Sequence, residues 1–168
     1  MPAKDKIKNC FREGEKNRER HVGLRRVEVS KEKIKGHVEK ANRNFHAIAS
    51  FREIGFSDWS ASAAFYSLYH LLLAILAKNG VESRNQSCTF AFIEILIDEG
   101  KLSFTKTDLE DIFDKGIKKD LEHSDKILDL RESIQYSTRT SMEDKEFEDM
   151  KRRVKDLFDK IKKDVEAE

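Results

Sequence analysis

Apolar positions recur at alternating steps of three and four along most of this chain. From Ser30, the series Ile34, Val38, Ala41, Phe45 and Ile48 lays one apolar stripe along a helix, which Gly55 closes. That spacing suits 3.6 residues per turn with one face turned to a core. Ser57 is placed to cap the next helix, because its hydroxyl can accept from a backbone N–H that has no intrahelical partner. This next helix, about 58 to 78, contains "SASAAFYSLYHLLLAIL" (60–76) and is apolar most of the way round, the mark of a central buried helix. "NG" at 79–80 ends it, and "VESRNQS" reads as a loop. A further helix over about 87–99 carries Phe90, Phe92, Ile93, Leu96 and Ile97 and stops at Gly100.

Thr107 with Glu110 three residues on has the form of a capping box, in which each side chain bonds the other residue's backbone N–H. From there the apolar series Leu109, Ile112, Phe113, Ile117, Leu121, Leu128 and Ile134 predicts a long helix to about Ser137, with Gly116 as a bend. Thr140 and Glu143 repeat the capping pattern. They precede a last helix with Phe147, Met150, Val154, Leu157, Phe158, Ile161 and Val165, spaced for packing along a bundle. Residues 1–28 hold nine Lys or Arg against five Asp or Glu and read as a basic arm or peripheral helix, with Ile7 and Phe11 as its apolar turn. "RRVEVS" is the one alternating stretch, and it is short. The expectation is therefore all-α: an antiparallel up-and-down bundle of four main helices plus one or two minor ones, occupying residues 29–168 as one domain.

Composition narrows this reading. With one proline and seven glycines in 168 residues, few positions break helices. Charged residues make up 39% of the chain but cancel to +1, so bulk charge predicts no DNA binding. The apolar stretch at 60–76 is too short and interrupted to predict a membrane span, and the N-terminus lacks the apolar core of a secretory signal. Cys10 and Cys88 stand far apart with no companions, forming neither a disulfide framework nor a zinc pattern. These features together predict a cytoplasmic protein.

Candidate chemistry is sparse. There is no Gly-rich phosphate loop and no Glu-x-x-His pair, so no cofactor and no metal site are assigned. In "DLEHSD" (120–125) the acids and His123 are neighbours in sequence, but adjacent helical positions point in different directions. Ser62, Tyr66 and His70 do share a helix face at i, i+4 and i+8, with Tyr69 alongside. They form a polar seam in the most apolar segment. Each group either bonds a neighbouring helix and satisfies the core or lines a pocket or subunit interface.

Two stretches carry a resemblance. "AAFYSLYHLLLAILAKNGV" (63–81) resembles the aromatic helix of HEPN-domain proteins, in particular the small stand-alone prokaryotic branch, whose helix reads Arg-Ala-Tyr-Tyr-Ala-x-Phe-His and ends in Lys-x-Gly-Ile/Val. "LRESIQYS" (130–137) resembles that family's Arg-x-x-Ala-Asp-Tyr signature. The likeness covers about residues 30–165, with Tyr66, His70, Arg131 and Tyr136 matching. Ala63 stands where the family carries Arg, Gln135 where it carries Asp, and "SRNQS" lacks the Lys-His pair often found in the loop. Many HEPN proteins are ribonucleases with Arg, four to six residues, then His. None of His21, His37, His46, His70 or His123 follows an Arg at that spacing. No catalytic residue is therefore assigned.

The resemblance implies a nucleotide-binding or partner-binding component, as a homodimer, alongside a minimal nucleotidyltransferase in a toxin–antitoxin type module. Tyr66, Tyr69, His70, Arg131 and Tyr136 are the candidates for nucleotide or RNA binding. Arg131 has two uses open to it: holding a phosphate, or pairing with Glu132, Asp129 or Glu94. Two alternatives stand beside this reading. One is an RNA endonuclease with a degenerate site built on His70 and Arg131. The other is a structural interaction module whose C-terminal stripe, Phe147 to Val165, docks a partner helix.

Overall fold

A computed structural model of the chain describes residues 2–16, 22–112, 131 and 134–168. Their elements in chain order are helix α1 (Ala3–Lys16), strand β1 (Leu24–Arg26), helices α2 (Lys31–Glu53) and α3 (Ser57–Lys78), strand β2 (Val81–Ser83), and helices α4 (Gln86–Asp98), α5 (Lys106–Ile112) and α6 (Asp144–Glu166). The protein is mostly helical, as the periodicity predicts. The long helix expected after Thr107 falls largely outside the described residues, as do Gly116 and the 120–125 cluster.

α3 is the axis of the bundle. Fifteen of its residues are buried. By length and composition it could cross a membrane, which corrects the expectation that no segment reaches that size. Most of the helix is instead covered by protein. Its small positions Ser60, Ala61, Ala63, Ala64 and Ser67 let neighbouring backbone come close. The two serines give their hydroxyl hydrogens to carbonyls, Ser60 to Ile48 and Ser67 to Ala64, each at 2.7 Å. A buried hydroxyl without such a partner would cost roughly 1–3 kcal/mol.

α2 and α3 form an antiparallel hairpin, closed at Gly55, whose φ of 85° suits a residue without Cβ. On α2, Ala41 and Ile48 are buried, with Ile34, Val38 and Phe45 packed beside them. α6 runs parallel to α3, fixed at both ends: Met142 N–H donates to Ser57 Oγ at 2.8 Å, and Lys78 Nζ donates to the Asp164 and Ala167 carbonyls. Arg52 ties α2 to the start of α6, bonding Asp144 at 2.6 Å and Glu148 at 2.9 Å and lying over the Phe147 ring. All seven apolar residues of the C-terminal stripe are buried. That stripe therefore forms part of the core, and the expectation that it docks an outside helix is corrected.

Smaller departures have local causes. Ser57 lies inside α3 and spends its hydroxyl on Met142, while the cap position, Phe56, makes no side-chain bond. The box at the start of α5 is built by Thr105 and Asp108, which bond each other's backbone N–H. Glu143 caps α6 without a side-chain bond. "VES" is strand: β2 pairs antiparallel with β1, Leu24 opposite Ser83 and Arg26 opposite Val81.

The N-terminal arm is ordered against this ribbon. Gly14 and Gly23 let α1 cross β1 in backbone contact; a Cβ on Gly14 would sit 1.8 Å from the Leu24 carbonyl oxygen. Cys10 on α1 and Cys88 on α4 are joined in a disulfide. This corrects the reading of two unrelated cysteines, and the cause is tertiary: α1 packs along α4 and brings residues 78 apart to a Cα separation of 5.9 Å.

Candidate functional site

The polar face of α3 divides into an open part and a closed part. At the closed end, His70 meets His37 of α2, Nδ1 to Nδ1 at 3.2 Å, with ring centres 5.5 Å apart. One nitrogen carries the hydrogen and the other accepts it. Both rings are half-buried. Burial, then the charge of His37, then Lys40 push the His70 pKa down to about 4. Burial first, then Lys40 and Lys33, lower that of His37, against the pull of Glu82. Both rings are thus neutral at pH 7, and His70 brings no cation to a phosphate.

Tyr69 is a core residue. Its ring stacks on Phe65 at 5.7 Å and meets Phe90 edge-on at 6.1 Å. Its hydroxyl pairs with Thr89 Oγ1 at 3.1 Å, and burial raises its pKa. Thr89 Oγ1 is in turn 2.7 Å from Ser83 Oγ. For Tyr69 and His70 the core-satisfaction alternative fits the contacts.

The open part centres on Tyr66, 38% exposed, whose ring stands edge-on to Phe65. The Arg131 guanidinium lies 4.5 Å from the Phe65 ring centre and 5.9 Å from that of Tyr66. Planar guanidinium over aromatic faces is a favourable arrangement. Gln135, at the position of the family's Asp, accepts from Arg131 Nη1 at 3.1 Å, so this contact brings no negative charge to the guanidinium. Glu132 and Asp129 lie outside the described residues. Ala63, at the family's Arg position, is buried and faces no solvent.

Next to this stack is a pocket of about 170 Å³, walled by Asp58, Trp59 and Ser62 of α3 and by Ile134, Gln135 and Arg139 across from them. Trp59 is 54% exposed and Tyr136 82% exposed. Arg139 is held by Glu146, which raises its pKa. The five residues singled out from the sequence therefore separate. Tyr66 and Arg131 come together, Tyr136 is a freely presented ring beside Gln135, and Tyr69 and His70 turn elsewhere. Trp59 and Arg139 were missed, although Trp59 precedes Ser62 and Tyr66 by three and seven residues, the spacing of one helix face. Among the described residues, no three His, Cys, Asp or Glu side chains are grouped to hold a metal ion.

The HEPN domain model matches residues 34–164, and the chain belongs to the HEPN family. The match spans the helical bundle and leaves α1 and β1 outside it. Comparison with curated proteins and with solved structures finds no match.

Proposed function

We propose that this HEPN protein is a cytoplasmic binding component that recognises a nucleotide or a short single-stranded RNA on the open face of α3. The observation that supports this most is the Arg131 guanidinium lying over Phe65 and Tyr66 beside a pocket walled in part by Trp59, with Tyr136 exposed between the pocket residues Gln135 and Ser137. Exposed aromatic rings offer stacking surface worth roughly 1–3 kcal/mol per base, and a planar guanidinium matches phosphate oxygens. Cleavage is not part of the proposal: the chain lacks the Arg-x4-6-His spacing, and His70 is engaged by His37.

A ligand that binds only the folded state raises the melting temperature. The test is a melting scan of the wild type, Arg131→Ala and Tyr136→Ala against ATP, GTP and short RNA, with the RNA checked for intactness. A wild-type shift that vanishes in the variants supports the reading. No shift with any ligand refutes it, and RNA cleavage lost in His70→Ala would replace it with the endonuclease alternative.

A second reading concerns partners. Ile54, Phe56 and Trp59 present an exposed apolar cluster at the α2–α3 turn, the composition of an interface core. A homodimer contact or a minimal nucleotidyltransferase, as in a two-component toxin–antitoxin module, fits that surface. Light scattering of wild type and Phe56→Asp checks the first option: a dimer that becomes a monomer supports it, and a monomeric wild type rejects it.

A further inference from the structure

The Cys10–Cys88 bond is mostly covered, with Cys10 5% and Cys88 6% exposed. It borders an open groove of about 520 Å³, lined also by Lys6, Asn9, Glu13, Asn85 and Ser87. Cys88 is the third residue of α4, behind the Asn85 cap, whose side chain accepts from the Cys88 N–H at 3.0 Å. The first turn of a helix favours negative charge, so Cys88 is the better placed of the two sulfurs to leave as a thiolate. The bond is one of several ties on α1. The others are its packing along α4, the close backbone crossing of β1 at Gly14 and Gly23, the half-buried Ile7 and Phe11, Arg26 over the Phe11 ring at 4.8 Å, and Arg25 donating to the Gly14 carbonyl at 3.2 Å.

We propose that Cys10–Cys88 is a reversible thiol–disulfide latch, which docks α1 on α4 when oxidised and frees α1 when reduced. The inference takes from the proposed function only the cytoplasmic compartment, where disulfides are rare and those present are mostly transient or redox-sensing. The reductant is a low-molecular-weight thiol of the glutathione class. Its thiolate attacks Cys10 Sγ; the Cys10–Cys88 bond breaks, and its electron pair leaves on Cys88 Sγ, which takes up a proton. A second thiolate attacks the outer sulfur of the mixed disulfide, releasing Cys10 as a thiol and the small molecule as its own disulfide. Two electrons and two protons pass to the protein.

The full chain is equilibrated in mixtures of reduced and oxidised glutathione, with no nucleotide present. Thiol state is read by maleimide gel shift, and α1 docking by hydrogen exchange of residues 3–16. The expected result is a reversible transition between the two forms, with α1 amides exchanging about tenfold faster or more when reduced while those of α3 hold their protection. The Cys10→Ser/Cys88→Ser double variant shows the reduced pattern in every mixture. If that variant does not fold, the two redox forms of the wild type carry the comparison. A bond that survives excess reduced glutathione is a fixed staple, and equal α1 protection in both forms means packing alone holds the helix. Either result overturns the latch. Neither result bears on ligand binding at the α3 face, which the melting scan reads separately.

Discussion

The His37–His70 contact makes the fold sensitive to acid over a defined range. The folded protein holds the His70 pKa at about 4 against an ordinary 6.5, chiefly by burial. The unfolded chain therefore binds the proton first. The neutral pair contributes its full stability above about pH 6.5 and loses it progressively as the pH falls toward 4. Fully expressed, that difference amounts to roughly 3 kcal/mol at 1.36 kcal/mol per pH unit. Partial solvent exposure screens it to on the order of 1–2 kcal/mol, most of it lost by pH 5. Lys33 and Lys40 add to the effect and Glu82 opposes it. The perturbation is His70→Phe, which keeps a ring at the site and removes the titration of His70, the more strongly shifted of the two. The assay is urea unfolding at pH 7.5 and pH 5.0. The wild type should lose about 1 kcal/mol more than the variant between these conditions. Carboxylates common to both proteins cancel in the comparison. Parallel losses in the two proteins would refute a neutral, buried pair.

Three further outcomes follow from the packing. Phe158→Ala removes a buried ring that packs on Phe45 at 4.8 Å and should cost about 3–5 kcal/mol in chemical denaturation. Tyr69→Phe deletes the hydroxyl paired with Thr89 and should cost about 1 kcal/mol; any nucleotide-induced melting shift should survive it, since Tyr69 is not on the open face. Gly14→Ala drives a Cβ into the Leu24 carbonyl; it should lower the melting temperature and speed amide exchange in α1 and β1, with α2 and α3 unaffected.

The main helices were legible because each carries an unbroken stripe. The seven residues from Phe147 to Val165 read as one apolar face, and all seven are buried. α3 was legible as the central helix because its apolar residues run most of the way round, with Ser62, Tyr66 and His70 as a single polar seam. What was not legible depends on contacts between elements. β1 and β2 are three residues each, too short for a period-two pattern to stand out, and they exist because each supplies the other's hydrogen bonds. The disulfide follows from the path of α1 across β1, which Gly14 and Gly23 permit and no cysteine spacing announces. Two Thr-x-x-acid patterns overlap at 105–110, and the earlier one forms the cap because Thr105, not Thr107, lies just outside the helix. The open site was half visible: the resemblance pointed to Tyr66 and Arg131, which do meet. His37 went unnoticed because its partner sits on another helix, 33 residues away.

The parallel pairing of α3 with α6 has a consequence for synthesis of the chain. α3 is complete at Lys78, whereas the helix that covers its flank begins only at Asp144. At about 5–20 residues per second, roughly 3–15 s pass before that cover begins to be made. During this interval the most apolar segment of the protein waits at the ribosome with one side bare. The α2–α3 hairpin, joined by a short turn, can close early; the α6 contacts cannot. Chains halted between these two points would present their stickiest surface to one another, and the newborn protein is the form most in need of a holding chaperone.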